Sequence, residues 1–476
     1  MFKPAKANAS TQAARPANRW RPLVQATAVA VFALMSASGS RAETLIDLYQ
    51  AAKQYDAAYL SAKAQAETAN YQLEQSYAAF RPSLGLKASL SRSRFDTSAD
   101  FSPAEQQQVQ LLTGSPKGNT SSTNRTISLN AKQALYNPAD KAKIAQAEQN
   151  VVMTQSDLML AENDLAARLT QAYFDVLAAQ DVLNTTQTNK KAMAEQLASA
   201  KRNFEVGNAT ITDTREAQAR YDLAAAQEIA ATNDLQVKRI ALDQLVGRND
   251  IKPSPLATPI NLDALAPGQM DEWVARTSSA PSVRKAEAGL QVAHLEVDKA
   301  KANERPTVSA LASLSNAKND SSSPAVTTRI QSGTTASVGV ELEMALFAGG
   351  AIQNKIREAL SQQEKAEHDV DNAKRTVALG TRQAFSAVQS GLAQVKAYEA
   401  AEASAKLALE ATQLGYRVGV RINKDVLDAQ TQVTTMQKDL YKARYDVIVG
   451  SIKLKQAAGS LTPDDLSELN KLLVQQ

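Results

Sequence analysis

Apolar residues recur every seven positions along a long polar stretch of the chain. In residues 139–203, one such series includes Ile144, Val151 and Leu158. A sustained seven-residue repeat predicts a helix that packs as in a coiled coil. A second stretch of similar length, residues 348–415, occurs later. At about 1.5 Å per residue, each stretch would form a helix of roughly 100 Å, which no ordinary globular core needs.

Four shorter segments alternate apolar and polar residues with a period of two. They lie in two predicted hairpins, residues 81–136 and 305–347. In the last segment Leu342 faces one way, while Glu341 and Glu343 face the other. This pattern is typical of a membrane barrel around a wet lumen, and the two glutamates are then predicted to face that lumen. A soluble, half-buried sheet shows the same alternation.

The hairpins supply only four predicted strands per chain. Between those strands, residues 95–124 and 316–334 are rich in Ser, Thr and Asn and predict exposed, mobile loops. Four strands cannot close a barrel, and an open sheet edge is not tolerated in lipid. Since roughly eight strands make the smallest barrel, the pattern predicts an oligomer of at least two chains, preferably three with twelve strands.

The chain follows one plan twice. Residues 55–91 align without a gap with residues 279–315. Farther on, a Val-Gly pair at residues 206–207 matches a second pair at residues 418–419. Each half reads helix, strand, strand, long helix, turn and shorter return helix. The predicted fold is therefore mixed but mainly helical, with two tandem structural repeats.

The predicted boundaries follow from this plan. Each return helix is about half as long as its long helix, so the Pro-rich linker after the first should lie at mid-height. Repeat 1 covers residues 43–249, with its long helix at 139–203 and return helix at 212–247; residues 250–270 form the linker; repeat 2 covers residues 271–460, with its long helix at 348–415 and return helix at 425–457; and residues 461–476 form a tail at mid-height.

The first 42 residues differ from the rest. A basic start precedes an apolar run at residues 23–37, and Ser40 and Ala42 offer small residues at positions −3 and −1 of a cleavage site. This predicts a secretory signal peptide over residues 1–42. The alternative, a membrane anchor, would need a longer apolar run. Cleavage would change the net charge from +4 to −2, because 47 of the 53 basic residues remain against 49 acidic ones.

Composition narrows the chemistry. The chain has no Cys, which excludes disulfides, thiolate metal sites, a cysteine nucleophile and a lipid-bearing cysteine. Its two His, His294 and His368, have no metal-ligand spacing. With no nucleophile–base pair or phosphate loop, we predict neither an enzyme nor a cofactor or metal. Beyond residue 42 no apolar stretch reaches transmembrane-helix length, so entry into a membrane would require strands.

Two strings carry a family resemblance. They are GYRVGVRINKDVLDAQ (Gly415–Gln430) and NFEVGNATITDTREAQ (Asn203–Gln218). With the signal peptide and the duplicated plan, they resemble the TolC family of outer-membrane export channels over residues 43 to about 473. The resemblance implies a homotrimer in a Gram-negative outer membrane, with a twelve-stranded transmembrane barrel and a periplasmic helical tunnel. Many relatives are lipidated on an N-terminal Cys; because this chain has no Cys, we predict that it resembles the unlipidated members.

The family also implies a function and partners. The channel would be the exit duct of a tripartite efflux pump or a type I secretion system. Its partners would be a periplasmic adaptor and an inner-membrane pump of the RND, ABC or MFS type, and it would bind no nucleic acid. A soluble periplasmic coiled-coil adaptor is the alternative, although adaptors normally contain one helical hairpin rather than two.

The resemblance assigns roles to the two Val-Gly turns. Val206, Gly207, Val418 and Gly419 would form the tips that contact the adaptor. The alternative for the glycines is turn chemistry alone, since glycine commonly ends helices in a left-handed conformation.

It further implies a latch and a gate at the periplasmic entrance. Tyr416 and Arg421 would hold the closed state against Thr212 and Asp213 of the first-repeat turn. Asp425 and Asp428, three residues apart on one helix face, would form stacked carboxylate rings around a threefold axis. The alternative is that the acidic residues only cap helix starts and complement the helix dipole.

Overall fold

The structure, a computed structural model, describes residues 44–98, 102–113, 117–257, 262, 267–323 and 326–474. The predicted signal peptide lies outside the described residues. The first half contains helices α1 (Leu45–Tyr55), α2 (Ala57–Tyr77), α3 (Pro103–Thr113), α4 (Pro138–Glu205) and α5 (Ile211–Val246), and strands β1 (Ser83–Ser98) and β2 (Lys117–Tyr136). The second half contains helices α6 (Met270–Arg276), α7 (Pro281–Ala302), α8 (Ala351–Arg417), α9 (Asn423–Ala457) and α10 (Pro463–Asn470), and strands β3 (Thr307–Ser323) and β4 (Val326–Glu343).

The helices form one layer of four columns. α4 packs against α2 and α5 on one side and against α7 and α9 on the other, and α8 packs on the far side of α7 and α9. α4 has 68 residues and α8 has 67, so each is about 100 Å long. Among the described residues, no helix is both long and apolar enough to cross a membrane. The mainly helical, twice-repeated plan is confirmed.

The first helix of each half is divided, whereas the sequence predicts a continuous one. α1 ends at Asp56, whose carboxylate accepts a hydrogen bond from the Tyr59 backbone N–H at 2.8 Å and starts α2. Arg168 of α4 holds the same carboxylate at 3.0 Å. In the second half the division falls before Pro281, which has no N–H to continue a helix. A capping side chain and a proline therefore break the two helices at equivalent positions.

The return helices end against these breaks. Gly247 ends α5 with φ +73°, and a Cβ there would lie 2.4 Å from the Tyr55 ring. Gly459, just after α9, has φ +70°, and its Cβ would lie 2.5 Å from the Ala280 Cα. Both the backbone conformation and the close approach require glycine. Two short helices can thus stack end to end beside each long helix.

One antiparallel sheet in the order β1-β2-β3-β4 caps one end of the helical layer. Its strands are longer than the sequence predicts, because pairing continues to Ser98 with Lys117 and to Ser323 with Val326. The prediction of loops at residues 95–124 and 316–334 is therefore wrong for the described residues, which extend the strands and form α3. Polar Ser and Thr side chains are compatible with a ladder whose two faces both meet solvent, and Thr favours extended backbone.

The register separates an apolar face from a polar face. Leu342 pairs with Val308 on the apolar face, and its side chain is exposed. Glu341 pairs with Ser309 on the opposite face, and Glu343 follows there. In the described part of the chain, no helix covers the apolar face.

The main core lies halfway along α4, where the linker and the tail meet it. The Tyr173 hydroxyl accepts a hydrogen bond from the Ser254 backbone N–H at 2.8 Å. Leu256 of the linker forms an antiparallel bridge with Leu473 of the tail. The Leu45 backbone N–H donates to the Asn470 side chain at 3.0 Å, so α1 also contacts the tail at this height.

Candidate functional site

The two Val-Gly turns lie at the end of the helical layer opposite the sheet. Gly207 has φ +76° and Gly419 has φ +79°, and a Cβ on either would meet nothing within 4 Å. The left-handed backbone, rather than crowding, therefore calls for glycine there. Val206 and Val418 are 68% and 66% exposed. Further exposed apolar side chains at these tips are Phe204, Ile211, Val420 and Ile422.

Asp213 is held at the start of α5. Its carboxylate accepts hydrogen bonds from the Thr210 backbone N–H at 2.9 Å and the Thr210 hydroxyl at 2.7 Å. The Asp213 N–H donates back to the Thr210 hydroxyl at 3.2 Å, which completes a capping box. Thr212, one residue before Asp213, is exposed. The capping role that the sequence leaves open for Asp213 is thus present within a single chain.

The described contacts within one chain do not bring the four latch residues together. The Asn203 side-chain amide donates to the Tyr416 hydroxyl at 3.1 Å. The Arg421 guanidinium, just before α9, lies 3.5 Å from the Asp425 carboxylate in the first turn of α9. Tyr416 and Arg421 therefore have partners other than Thr212 and Asp213 here, and the latch remains a prediction about assembled chains.

The two carboxylates predicted to form the gate, Asp425 and Asp428, share one face of α9 but differ in their surroundings. Arg220 of α5 donates to Asp428 at 2.6 Å, and Lys424 forms a second ion pair with it. The hydrogen bond and the charge of Asp428 raise the pKa of Lys424. Asp425 has only the longer contact to Arg421 among its described neighbours. Asp428 is therefore more strongly neutralised than Asp425 within one chain.

Polar and apolar contacts tie α9 to the first-repeat hairpin beneath these charges. The buried Asn423 side chain accepts a hydrogen bond from Gln196 of α4. The Thr434 hydroxyl donates to Asn189 at 2.9 Å. Leu427 is 1% exposed and packs in a small core with α4 and α5 side chains. These contacts hold the first half of α9 against α4 and α5 in the described conformation.

Sequence reasoning missed Arg220, Asn203 and Asn423. A signal existed for Arg220, because it lies seven residues after Asp213 and so returns to nearly the same helix face. No signal existed for its partner, since the pairing of α5 with α9 depends on packing between the repeats. Among the described residues, no group of three or more His, Cys, Asp or Glu could hold a metal ion.

Comparisons with known proteins agree with this architecture. The sequence model of the family described as Outer membrane efflux protein matches residues 48–248 and 276–460. The chain is 30% identical to Outer membrane protein TolC of Vibrio cholerae over 90% of this chain and 93% of that protein. It is also 30% identical to Alkaline protease secretion protein AprF of Pseudomonas aeruginosa, over 71% of this chain and 70% of that protein.

A solved structure supports the fold. The outer membrane protein VceC of Vibrio cholerae superposes with a TM-score of 0.70, covering 87% of this chain and 96% of that one. At 17% sequence identity this likeness concerns the fold alone.

The family whose sequence model matches the chain is one of non-enzymatic outer-membrane channels. The chain belongs to the outer membrane efflux protein family, which confirms the predicted family, fold class and outer-membrane localisation with a periplasmic helical tunnel. It is an outer-membrane exit duct for efflux or type I secretion. Channels of this kind work with adaptor and pump proteins.

Proposed function

We propose that three copies of this chain close into a single channel that opens and shuts at its periplasmic tips. The observation that carries this proposal is the pair of open edges on the sheet. β1 and β4 each pair on one side only within the chain, while the apolar face is exposed. Three chains would supply twelve strands and pair every edge, which a structure in lipid requires.

Within the part of the chain that the structure describes, the two outer edges of the helical layer also have no partner. Its outer columns are α5 with α2 on one side and α8 on the other. Both expose large apolar side chains, which contact between neighbouring chains would remove from water. These side chains include Leu223, Ile229, Val237 and Ile240 on α5 and Leu360, Leu379, Leu407 and Leu414 on α8.

The gate would lie where the second-repeat tips converge on the threefold axis. Three copies of Asp425 and Asp428 would form two carboxylate rings at the entrance. The latch would form between Tyr416 or Arg421 and the first-repeat turn of the same or a neighbouring chain. A few charge-assisted hydrogen bonds, repeated three times, give a closed state that a docking partner can outcompete.

The docking partner would be a periplasmic adaptor joined to an inner-membrane pump. The exposed valines support contact at the tips, Val206 and Gly207 in one turn and Val418 and Gly419 in the other. The names of the relatives point both to efflux and to protease secretion, so the cargo would be selected by the pump. The RND, ABC and MFS pump types remain open, whereas a soluble adaptor is set aside because the family is one of channels.

Single-channel recording in planar bilayers tests the gate. Tyr416→Phe with Arg421→Glu should raise the conductance of the purified channel while its assembly is unchanged. A matched control is Tyr398→Phe with Arg375→Glu, which makes the same chemical changes on α8 away from the tip. Equal conductance in both variants would contradict the proposed latch.

A further inference from the structure

A cluster of cations lies on the apolar face of the sheet, immediately beyond its last apolar row. The strand register places Leu90, Arg125 and Lys318 side by side in one row. Arg92 and Arg94 follow Leu90 on the same face of β1, because side chains alternate with a period of two. The face therefore changes from leucine to arginine and lysine within two residues.

The positive charge of this cluster exceeds its local carboxylates. Arg125 lies 3.7 Å from Asp320, and Arg94 lies 3.1 Å from Asp96. Arg92 and Lys318 have no carboxylate partner within the described strands. Arg92, Arg94 and Arg125 are exposed. Each chain thus presents two uncompensated cations, and a ring of three would repeat them around its circumference.

The depth of the cluster can be derived from the strands. From the row of Val308 and Leu342 to the row of Lys318 is ten residues along β3. At about 3.4 Å per residue the strand rises roughly 34 Å, and a tilt near 40° reduces this to about 26 Å of height. An outer-membrane barrel presents an apolar band of about 25 Å. The cations therefore lie at one boundary of that band.

That boundary is the outer one. The helices join the strands at the end marked by Val308 and Leu342, and the helical tunnel is periplasmic. The cations lie toward the hairpin ends, on the far side of the apolar rows. Side chains there face the headgroups of the outer leaflet, where a cation on the lipid-facing surface costs little compared with the bilayer middle.

We propose that Arg92, Arg94, Arg125 and Lys318 form a binding surface for the phosphate groups of outer-leaflet glycolipids. Arginine matches a phosphate with two parallel N–H donors, and lysine adds a point charge beside it. The adjacent leucine rows would hold the acyl chains of the same lipid. The surface rests on the proposed closure of the sheet into a barrel, because closure turns this face toward lipid.

Native mass spectrometry of the purified trimer with added lipid A tests the proposal. The wild-type trimer should retain diphosphorylated lipid A about tenfold more strongly than lipid A from which both phosphates have been removed. Inorganic phosphate at the same phosphate concentration should not displace the lipid. Equal retention of the two lipids, or displacement by inorganic phosphate, would overturn the proposed lipid site. The mass of the trimer, read in the same spectra, reports separately on the proposed channel.

A matched pair of variants locates the site. Arg125→Gln with Lys318→Gln removes two cations from the apolar face, whereas Lys87→Gln with Lys132→Gln removes two from the polar face. The first should weaken retention of diphosphorylated lipid A by about tenfold, and the second should leave it unchanged. Equal retention in the two variants would refute the assignment. If the first variant does not assemble, the comparison of the two lipids on the wild-type trimer decides the question.

Discussion

The Arg220 guanidinium on the first return helix donates to the Asp428 carboxylate on the second return helix at 2.6 Å. This ion pair joins the two repeats close to their turns. Lys424 contacts the same carboxylate, but it lies on the same helix as Asp428 and joins nothing across the interface. Any outward swing of α9 relative to α5 must therefore break the pair of Arg220 and Asp428.

Removing Arg220 should favour the open entrance. The two side chains are 31% and 42% exposed, so the pair contributes only about 0.5–1 kcal/mol per chain. Arg220→Gln should then raise the open-to-closed ratio about 2–5-fold for each chain's contact, visible as more frequent high-conductance events in planar bilayers. Lys424→Gln is the control, and a similar rise there would show that helix tethering is not the cause.

The two proposed gate carboxylates, Asp425 and Asp428, should differ in their effect on ion selectivity. Asp428 has two close cationic partners, whereas Asp425 has one at 3.5 Å. A less neutralised carboxylate contributes more to the field in the entrance. Asp425→Asn should therefore reduce cation selectivity and block by multivalent cations more than Asp428→Asn does. Reversal potentials in asymmetric KCl measure this, and the opposite order would place the selective charge at Asp428.

Replacing Gly459, just after α9, by alanine should destabilise the protein more than replacing Gly419 at the tip. An alanine at residue 459 adds the cost of a left-handed backbone, about 1 kcal/mol, to a 2.5 Å approach to the Ala280 backbone. Gly459→Ala should destabilise the protein by about 2–4 kcal/mol, whereas Gly419→Ala, which meets no atom, should cost about 1 kcal/mol. Thermal unfolding followed by circular dichroism compares them, and equal losses would contradict the end-to-end helix stack.

The stabilising contact between Asp56 and Arg168 should depend on pH. Burial opposes ionisation of Asp56, but hydrogen bonds from Arg168 and from the α2 backbone outweigh it and lower the pKa of the carboxyl. A depressed folded-state pKa stabilises the fold above the unfolded value of about 4 and loses this effect as pH falls through the folded value.

Arg168→Gln should therefore lower the unfolding temperature at pH 7, and this loss should shrink as the pH falls through the lowered pKa of the Asp56 carboxyl. Arg168→Lys keeps the charge and serves as the control. A loss that does not change as the pH is lowered would show that packing by Arg168, rather than its charge, stabilises the helix break.

Sequence patterns predicted the structure correctly where the local conformation depends on neighbouring residues alone. The alternation of Leu342 with Glu341 predicts opposite faces, and the register places them so. The Val-Gly pairs predict left-handed glycines, which Gly207 and Gly419 are. These features depend on neighbours along the chain, so a single sequence contains them.

Features that depend on contacts between distant segments could not be predicted. The partner of Tyr416 is Asn203, 213 residues away, and the partner of Asp428 is Arg220 on another helix. The Asp56 carboxylate that caps α2 is also held by Arg168 across the helix interface. The extended hairpins, likewise, are stabilised by cross-strand pairing that their Ser-rich and Thr-rich composition does not indicate.

The central claim is that four strands per chain form a membrane channel only when three chains close the sheet. The most direct measurement is the mass of the folded particle released from lipid bilayers, for the wild type, for Val338→Arg on the apolar face and for Ser337→Arg on the polar face. Val338 lies four residues inside the band from the Leu342 row, and an arginine facing lipid costs about 2–4 kcal/mol toward mid-bilayer, whereas one facing water in the lumen does not. We predict three copies for the wild type and Ser337→Arg, and little or no inserted particle for Val338→Arg. A folded single-chain particle, or equal insertion of the two arginine variants, would contradict the account.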